Sequence, residues 1–457
     1  LFISIYCGLM ILLASCNNYL DVKPKGKIIP ETAEDFSTII HYWLDQIEKG
    51  RDDVIIPNPE VMTTLEMFAD DLNATLASNF GYTSIYVGSA INKNQATYKT
   101  LYSVIKDCNM VIGNMDDTES DLARTLLGTA WSIRSICYYN LMQRYCEPYQ
   151  PETAKETLGL PLVDDFDMEA KPARANLKET AEFIEEGFRK ALSYNVSNED
   201  FIFTSSVTKA YFARFFFWTQ NWSNAITYAK EVLEKYPMLE ADEYVEAINQ
   251  KQAKAHNVII RSFTMDDDIG TMSYATAQAD IKSRPVDRNL VDLFAATDND
   301  VRRRCNYDSK RIVNKIITTK FRSEELCLII AEAHAHLNQE TDALGYLNQL
   351  RSKRITQDYI AYTIDNLPEV FQQNIKTDAT GIPLTKLMSA ILCERRKELF
   401  VEGDRWFELK RNGRPEFWVA AKGKKFITEK YLYTFPIPKA DIRLFPDLLI
   451  QNPGYIE

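Results

Sequence analysis

Apolar residues recur at steps of three and four along most of the chain, the spacing that gathers them on one face of an α-helix. From Asn92 to Met115 they outline a first long helix. A second is predicted over Asp121–Tyr145, with Leu122, Leu126, Ala130, Ile133, Cys137 and Leu141 along its stripe. Pro148, Pro151 and Pro161 then break the pattern into an irregular crossing loop, because proline lacks an amide hydrogen and its ring obstructs the helix. Helix resumes over Leu177–Ser193. Two stretches carry no helical period: 249–300, which includes Asp266-Asp267-Asp268, and 356–383. Connections of that length are usually functional or disordered. From Tyr433 onward, Pro436, Pro438, Pro446 and Pro453 exclude a continuous helix, so the tail 433–457 is expected to run extended over a helical body.

The segment from Val207 to Pro237 is the most informative. Ala213 and Phe216 lie in its first helix, Gln220-Asn221-Trp222-Ser223 form a turn, and Ala225, Ala229 and Val232 continue in a second helix that Pro237 closes. Small residues let two helices approach closely, and this arrangement resembles the tetratricopeptide pattern of about 34 residues. A second pair recurs from Phe321 to Arg354, where Ala331 and Ala343 stand twelve apart, as Ala213 and Ala225 do. Any helical hairpin shares part of this pattern, and no regular array of identical repeats is present. The fold class read from the chain is mainly α, with tetratricopeptide-like helical pairs packed against a loop-rich region. The pairs are expected over about 92–237 and 321–411, with loop-rich insertions at about 249–300 and 356–383.

Composition narrows the class further. The 457 residues are 46% hydrophobic and 26% charged, which excludes wholesale disorder. Lys and Arg total 53 against 64 Asp and Glu, a formal charge of −11. That balance argues against a nucleic-acid partner, which needs a basic stripe. Leu1–Ala14 is an apolar run of the length of a signal-peptide core and too short to span a bilayer as a helix. Leu13-Ala14-Ser15-Cys16 looks like a bacterial lipobox, so 1–15 is expected to be a lipoprotein signal peptide and Cys16 the site of lipid attachment. With neither Met nor a basic stretch ahead of it, Leu1 is read as lying inside a longer leader. Of the other cysteines, Cys108, Cys137, Cys327 and Cys393 fall inside apolar helical patterns and are expected to pack as small buried hydrophobes.

Several motifs, taken in order, carry a resemblance. Tyr19-Leu20-Asp21-Val22-Lys23-Pro24-Lys25-Gly26 follows Cys16 closely. Glu394-Arg395-Arg396-Lys397-Glu398-Leu399-Phe400-Val401-Glu402-Gly403-Asp404-Arg405-Trp406-Phe407-Glu408-Leu409-Lys410-Arg411 is expected on one helix. Phe435-Pro436-Ile437-Pro438 and Gln451-Asn452-Pro453-Gly454-Tyr455 close the chain. In order and spacing these resemble the SusD/RagB family of outer-membrane nutrient-binding lipoproteins. The resemblance extends over essentially the whole chain, with 16–457 as a single SusD-like helical unit. It implies a lipid anchor in the outer membrane, exposure at the cell surface, and a partner in a TonB-dependent, SusC-like transporter over which the lipoprotein sits as a lid. It implies capture of glycans, or in some members of peptides, for import, and no catalysis. A helical-repeat scaffold that binds only proteins is the other reading of the helical pairs.

Arg395, Glu398, Glu402 and Arg405, at steps of three, four and three, would share one face of a continuous helix. Two carboxylates so placed suggest a glycosidase pair. Flanking arginines would instead lower both pKa values, whereas a general acid needs one raised. A partly buried ionic clasp, with Leu392, Leu399 and Trp406 packing beside it, is therefore the expected role. His334 and His336, two apart on a helix, point to different sides and cannot hold one metal together. No motif calls for a cofactor or a metal.

A sugar binder needs flat aromatic rings beside Asn, Asp or Arg, because sugars present apolar C–H faces and hydroxyl edges. The segment from Asp70 to Gly88 offers Asp70, Asp71, Asn73, Asn79, Phe80, Tyr82 and Tyr86. In the family it resembles, the corresponding early region often contributes to the sugar site. A second candidate is Phe263 to Arg284, with Met272, Tyr274 and Gln278. The ligand residues expected are Asp71, Asn79, Tyr82, Tyr86 and Tyr274, with Trp43 and Trp418 as further candidates.

Overall fold

The computed structural model describes residues 30–49, 55–78, 96–166, 171–250, 255–262, 272–294, 299–317, 319–421 and 423–455. Helix dominates, and the strands form three small two-stranded antiparallel sheets among the described residues. The expected helices over Asp121–Tyr145 and Leu177–Ser193 are present with those bounds. Both start where a polar cap satisfies free amides. Ser120 accepts from the Ala123 amide at 3.2 Å, and Asn176 and Glu179 form a reciprocal capping box.

Helices that follow one another in the chain also pack side by side. Ala96–Asn114 lies on Asp121–Tyr145, which lies on Leu177–Ser193, then on Ser205–Trp218 and Trp222–Lys235. Close approach needs small residues. Gly187 sits so near the Asp121–Tyr145 helix that an added Cβ would stand 2.4 Å from Ser135 Oγ. The pair Ser205–Trp218 and Trp222–Lys235 meets through fully buried Ala213, Ala225 and Ala229, with Phe216 stacked on Tyr228 at 5.7 Å. Ser323–His336 and Glu340–Ser352 repeat the arrangement around buried Ala331 and Ala343. Each pair turns on one polar residue in the left-handed region, Gln220 at φ 61° and Asn338 at φ 57°. The two pairs stack, because Ser323–His336 packs on Trp222–Lys235. A large apolar core runs from Ala33 to Ile437, with smaller clusters beside it, one of them around Ala331 and Ala343.

The structure departs from the sequence reading in several places. Two N-terminal helices, Ala33–Glu48 and Pro59–Phe68, precede the first expected one. The stretch 249–300, expected without regular structure, contributes a strand at Val258–Arg261 and a helix at Met272–Lys282. The 356–383 stretch holds only a short 3-10 turn, Ile364–Asn366, among its regular elements. The tail, expected to run extended, carries a short helix at Lys439–Leu444 and turns at 446–448 and 453–454 among its described residues. The long Glu394–Arg411 helix is two helices, Lys386–Glu398 and Arg405–Arg411. Between them the chain breaks at Val401, φ 57°, and Gly403, φ 77°. The Gly403 amide, freed from any helix, donates to Glu66 Oε1 at 2.7 Å.

Candidate binding site

The Glu/Arg motif forms a clasp, but with partners other than its own arginines. Glu398 accepts from Arg322 Nη1 at 2.6 Å, Arg354 Nε at 3.0 Å and Arg302 Nη1 at 3.2 Å. Glu402 accepts from Lys315 Nζ at 2.6 Å and Arg322 Nε at 3.0 Å. Glu398 and its arginines are fully buried, while Glu402 is half-buried as a residue with its side chain 4% exposed. Burial alone would raise these carboxyls, but the guanidiniums of Arg354, Arg322 and Arg302 hold Glu398 well below the ordinary range. For Glu402, burial is likewise outweighed by Arg322 and Lys315, which bring it down to about 2. A carboxyl held ionised in this way has no proton to give, so neither residue can serve as a general acid.

The motif arginines are buried as well, and two of them hold a different segment. Arg405 clamps Asp70 with Nε–Oδ1 at 2.7 Å and Nη2–Oδ2 at 3.0 Å, and Arg396 Nε meets Asp71 Oδ1 at 2.5 Å. Arg395 pairs with Asp404, its Nε 2.9 Å from Oδ2. Asp70 and Asp71 open the short stretch that runs to Ser78, so the clasp fixes its path. The Asp71 carbonyl then accepts from Asp287 N at 2.7 Å, and Asn73 N donates to Pro285 O at 2.8 Å. Asn73 Nδ2 also reaches Asp287 Oδ2 at 3.0 Å. The turn Ala74–Leu76 seats a hairpin, with Ala74 packed on Val419 and Phe426. The hairpin pairs Phe417–Ala421 with Lys424–Thr428, Trp418 opposite Ile427 and Val419 opposite Phe426. Strand side chains alternate, so seating Val419 on Ala74 turns Trp418 the other way.

Together these segments enclose an open cleft of about 380 Å³. Its wall includes Asn73, Thr75, Asp287, Asn289, Asn374, Glu416 and Trp418. Trp418 is 60% exposed while Trp43, Trp218 and Trp406 are buried. An open indole beside carboxamides, a hydroxyl and carboxylates is suited to a ligand with apolar faces and hydroxyl edges. A second cavity, about 120 Å³, lies inside the clasp. Much of its wall is charge already engaged, as in Arg214 with Glu325 and Arg395 with Asp404.

The expected ligand residues fall in different places. Asp71 is fully buried under the cleft, bound by Arg396. Asn79, Tyr82 and Tyr86 lie outside the described residues, as do Phe80 and Cys16. Tyr274 is buried on the Met272–Lys282 helix, where desolvation raises its phenol, and it does not line the cleft. Gln278 accepts from Ile317 N at 3.2 Å. Trp43 is buried, donating to Asp107 at 3.1 Å. Trp418, a further candidate from the sequence, is in the cleft with Asn73. Sequence reasoning missed Thr75, Asp287, Asn289, Asn374 and Glu416. The available signal was that Asp287, Asn289 and Asn374 stand in the two stretches without helical period.

Among the described residues no helix is long and apolar enough to cross a membrane, and no cluster of His, Cys, Asp and Glu is arranged to hold a metal. None of the six described cysteines is in a disulfide, and all are buried except half-buried Cys393.

The helical body thus carries an open cleft with aromatic and amide side chains in its wall, apart from a carboxylate pair locked in ion pairs. The profile described as the SusD family matches residues 302–455, and one described as "Starch-binding associating with outer membrane" matches residues 18–217. The chain belongs to the SusD/RagB family, whose members bind carbohydrate and are not enzymes. Solved structures share the fold at low identity. A SusD superfamily protein from Bacteroides thetaiotaomicron is 18% identical, with a TM-score of 0.71 over 92% of this chain and 100% of that one. A SusD-like carbohydrate binding protein from Bacteroides vulgatus is 19% identical, TM-score 0.67, over 92% and 98%. A laminarin binding SusD-like protein is 16% identical, TM-score 0.61, over 93% and 99%. No curated protein matches the chain.

Proposed function

We propose that the protein is a lipid-anchored, surface-exposed protein of the outer membrane that captures oligosaccharide and passes it to a SusC-like, TonB-dependent transporter. The observation that carries the reading is Trp418, an indole left open on a hairpin whose first strand walls the same cleft as Asn73, Asn289 and Asn374. One sugar ring stacks on the indole while its hydroxyls bond the carboxamides. The matched description of starch binding and outer-membrane association supports both ligand class and place. The solved relative that binds laminarin supports the ligand class. Anchoring through Cys16 accounts for membrane attachment without a spanning helix.

Calorimetric titration of the acyl-free protein against oligosaccharides tests the capture step, with Trp418→Ala as the control. Binding that is absent for glycans but present for peptides would overturn it. Purification from membranes in mild detergent tests the partner: a co-purifying transporter barrel is expected, and its absence alongside bound enzymes would favour a scaffold.

A further inference from the structure

We infer that the cleft selects uncharged glycans and turns away acidic ones, a reading that rests on the cleft being the glycan site proposed above. No Lys or Arg stands among the described residues that line it. Its hydrogen-bonding groups are the Asn289 carboxamide, the Thr75 hydroxyl, carboxylates, and the carboxamides of Asn73 and Asn374, which already donate one bond each to Asp287 and Asp70 and keep a second N–H. Of the three carboxylates, Asp70 is spent on Arg405 and Arg396. Asp287 is bonded only to neutral groups, Asn73 Nδ2 and the Asn289 amide, each at 3.0 Å. Glu416 is exposed on the strand end beside Trp418. Neither Asp287 nor Glu416 has a cation within ion-pair distance among the described residues.

A uronate or sulfate group is recognised by paired guanidinium or ammonium donors, and this wall supplies none. It would instead sit against two like charges in a partly desolvated groove, which disfavours the complex. Sugar hydroxyls, by contrast, donate to those carboxylates and accept from the carboxamides. Among the described residues Lys425 is the cation that sits over the Trp418 ring, 5.1 Å from its centroid. There it occupies an aromatic face rather than the polar wall.

The test is a panel of hexasaccharides immobilised on one surface, neutral hexans and xylans against uronate- and sulfate-bearing chains. It is probed with wild type, Trp418→Ala and Glu416→Lys at low and high salt. The tightest binding is expected among the neutral set, weakened about thirty-fold in Trp418→Ala. Acidic chains should bind at least about ten-fold more weakly at low salt, with the gap narrowing as salt screens the repulsion. Glu416→Lys should raise the ratio of acidic to neutral binding. An acidic glycan held as tightly as the best neutral one, and weakened likewise in Trp418→Ala, overturns the charge selection and leaves the site standing. Glycan binding unchanged in Trp418→Ala, or no glycan bound from either set, overturns the site and the selection with it.

Discussion

Replacing Glu402 with Gln asks how much the buried clasp contributes to stability. The side chain accepts from Lys315 Nζ and Arg322 Nε and Nη2, and all three side chains are within a few per cent of full burial. Its folded carboxyl titrates at about 2 against 4.5 ordinarily. That difference, taken at 1.36 kcal/mol per pKa unit, stabilises the fold by about 3 kcal/mol at neutral pH. Removing one partner of a buried ion pair costs about 3–5 kcal/mol by a separate route, because it strands the other charges. The two figures agree, so Glu402→Gln is expected to lose about 3 kcal/mol at pH 7. Urea unfolding followed by tryptophan fluorescence measures it. The pH dependence has a definite sign. A depressed carboxyl contributes fully above its unfolded pKa, and the contribution fades as pH falls from about 4.5 towards 2. Wild type and variant should therefore converge over that range. A loss below about 1 kcal/mol at pH 7, or a gap that stays constant down to pH 2.5, would refute this account.

Other substitutions separate the clasp from the cleft. Trp418→Ala should weaken glycan binding by about thirty-fold, as for a central aromatic contact, and leave the melting temperature near wild type because the ring is largely exposed. Arg405→Met frees Asp70 and Glu408; it should destabilise by about 3–5 kcal/mol in urea and also weaken glycan binding, since the Asp70–Thr75 wall loses its anchor. Gly454→Ala places a Cβ 2.4 Å from Tyr431 Cγ at a φ of 91°, and should lower stability by about 1–3 kcal/mol in thermal melts. A maleimide should leave Cys108, Cys137, Cys146, Cys305 and Cys327 unmodified until denaturant is added, as mass spectrometry would show.

Local pattern made the helical body legible, and long-range pairing hid most of the rest. The stripe from Leu122 to Leu141 could only be a helix, and the Ala213/Ala225 and Ala331/Ala343 spacings marked the pairs. The Lys386–Glu398 helix was extended too far in the reading because polar periodicity runs straight through Val401 and Gly403, while the break depends on left-handed backbone and on Glu66, 337 residues away from Gly403. Arg302, Arg322 and Arg354 were absent from the expected clasp for the same reason, lying 96, 76 and 44 residues from Glu398. The Ala33–Glu48 helix did have a local signature, the Thr32–Asp35 capping box, which went unread. The cleft was half legible: Asn73 and Trp418 have the right chemistry, but only the fold shows that Asp287 and Asn374 stand beside them.

The last residues of the chain are wired into its middle. Gln451 exchanges hydrogen bonds with both backbone groups of Ile437, and Asn452 donates to Tyr145 O and Phe435 O. Tyr145 ends the long helix at the centre of the molecule, so its carbonyl waits for a partner made some three hundred residues later. A nascent chain thus cannot complete its interior until Gln451 and Asn452 have been made.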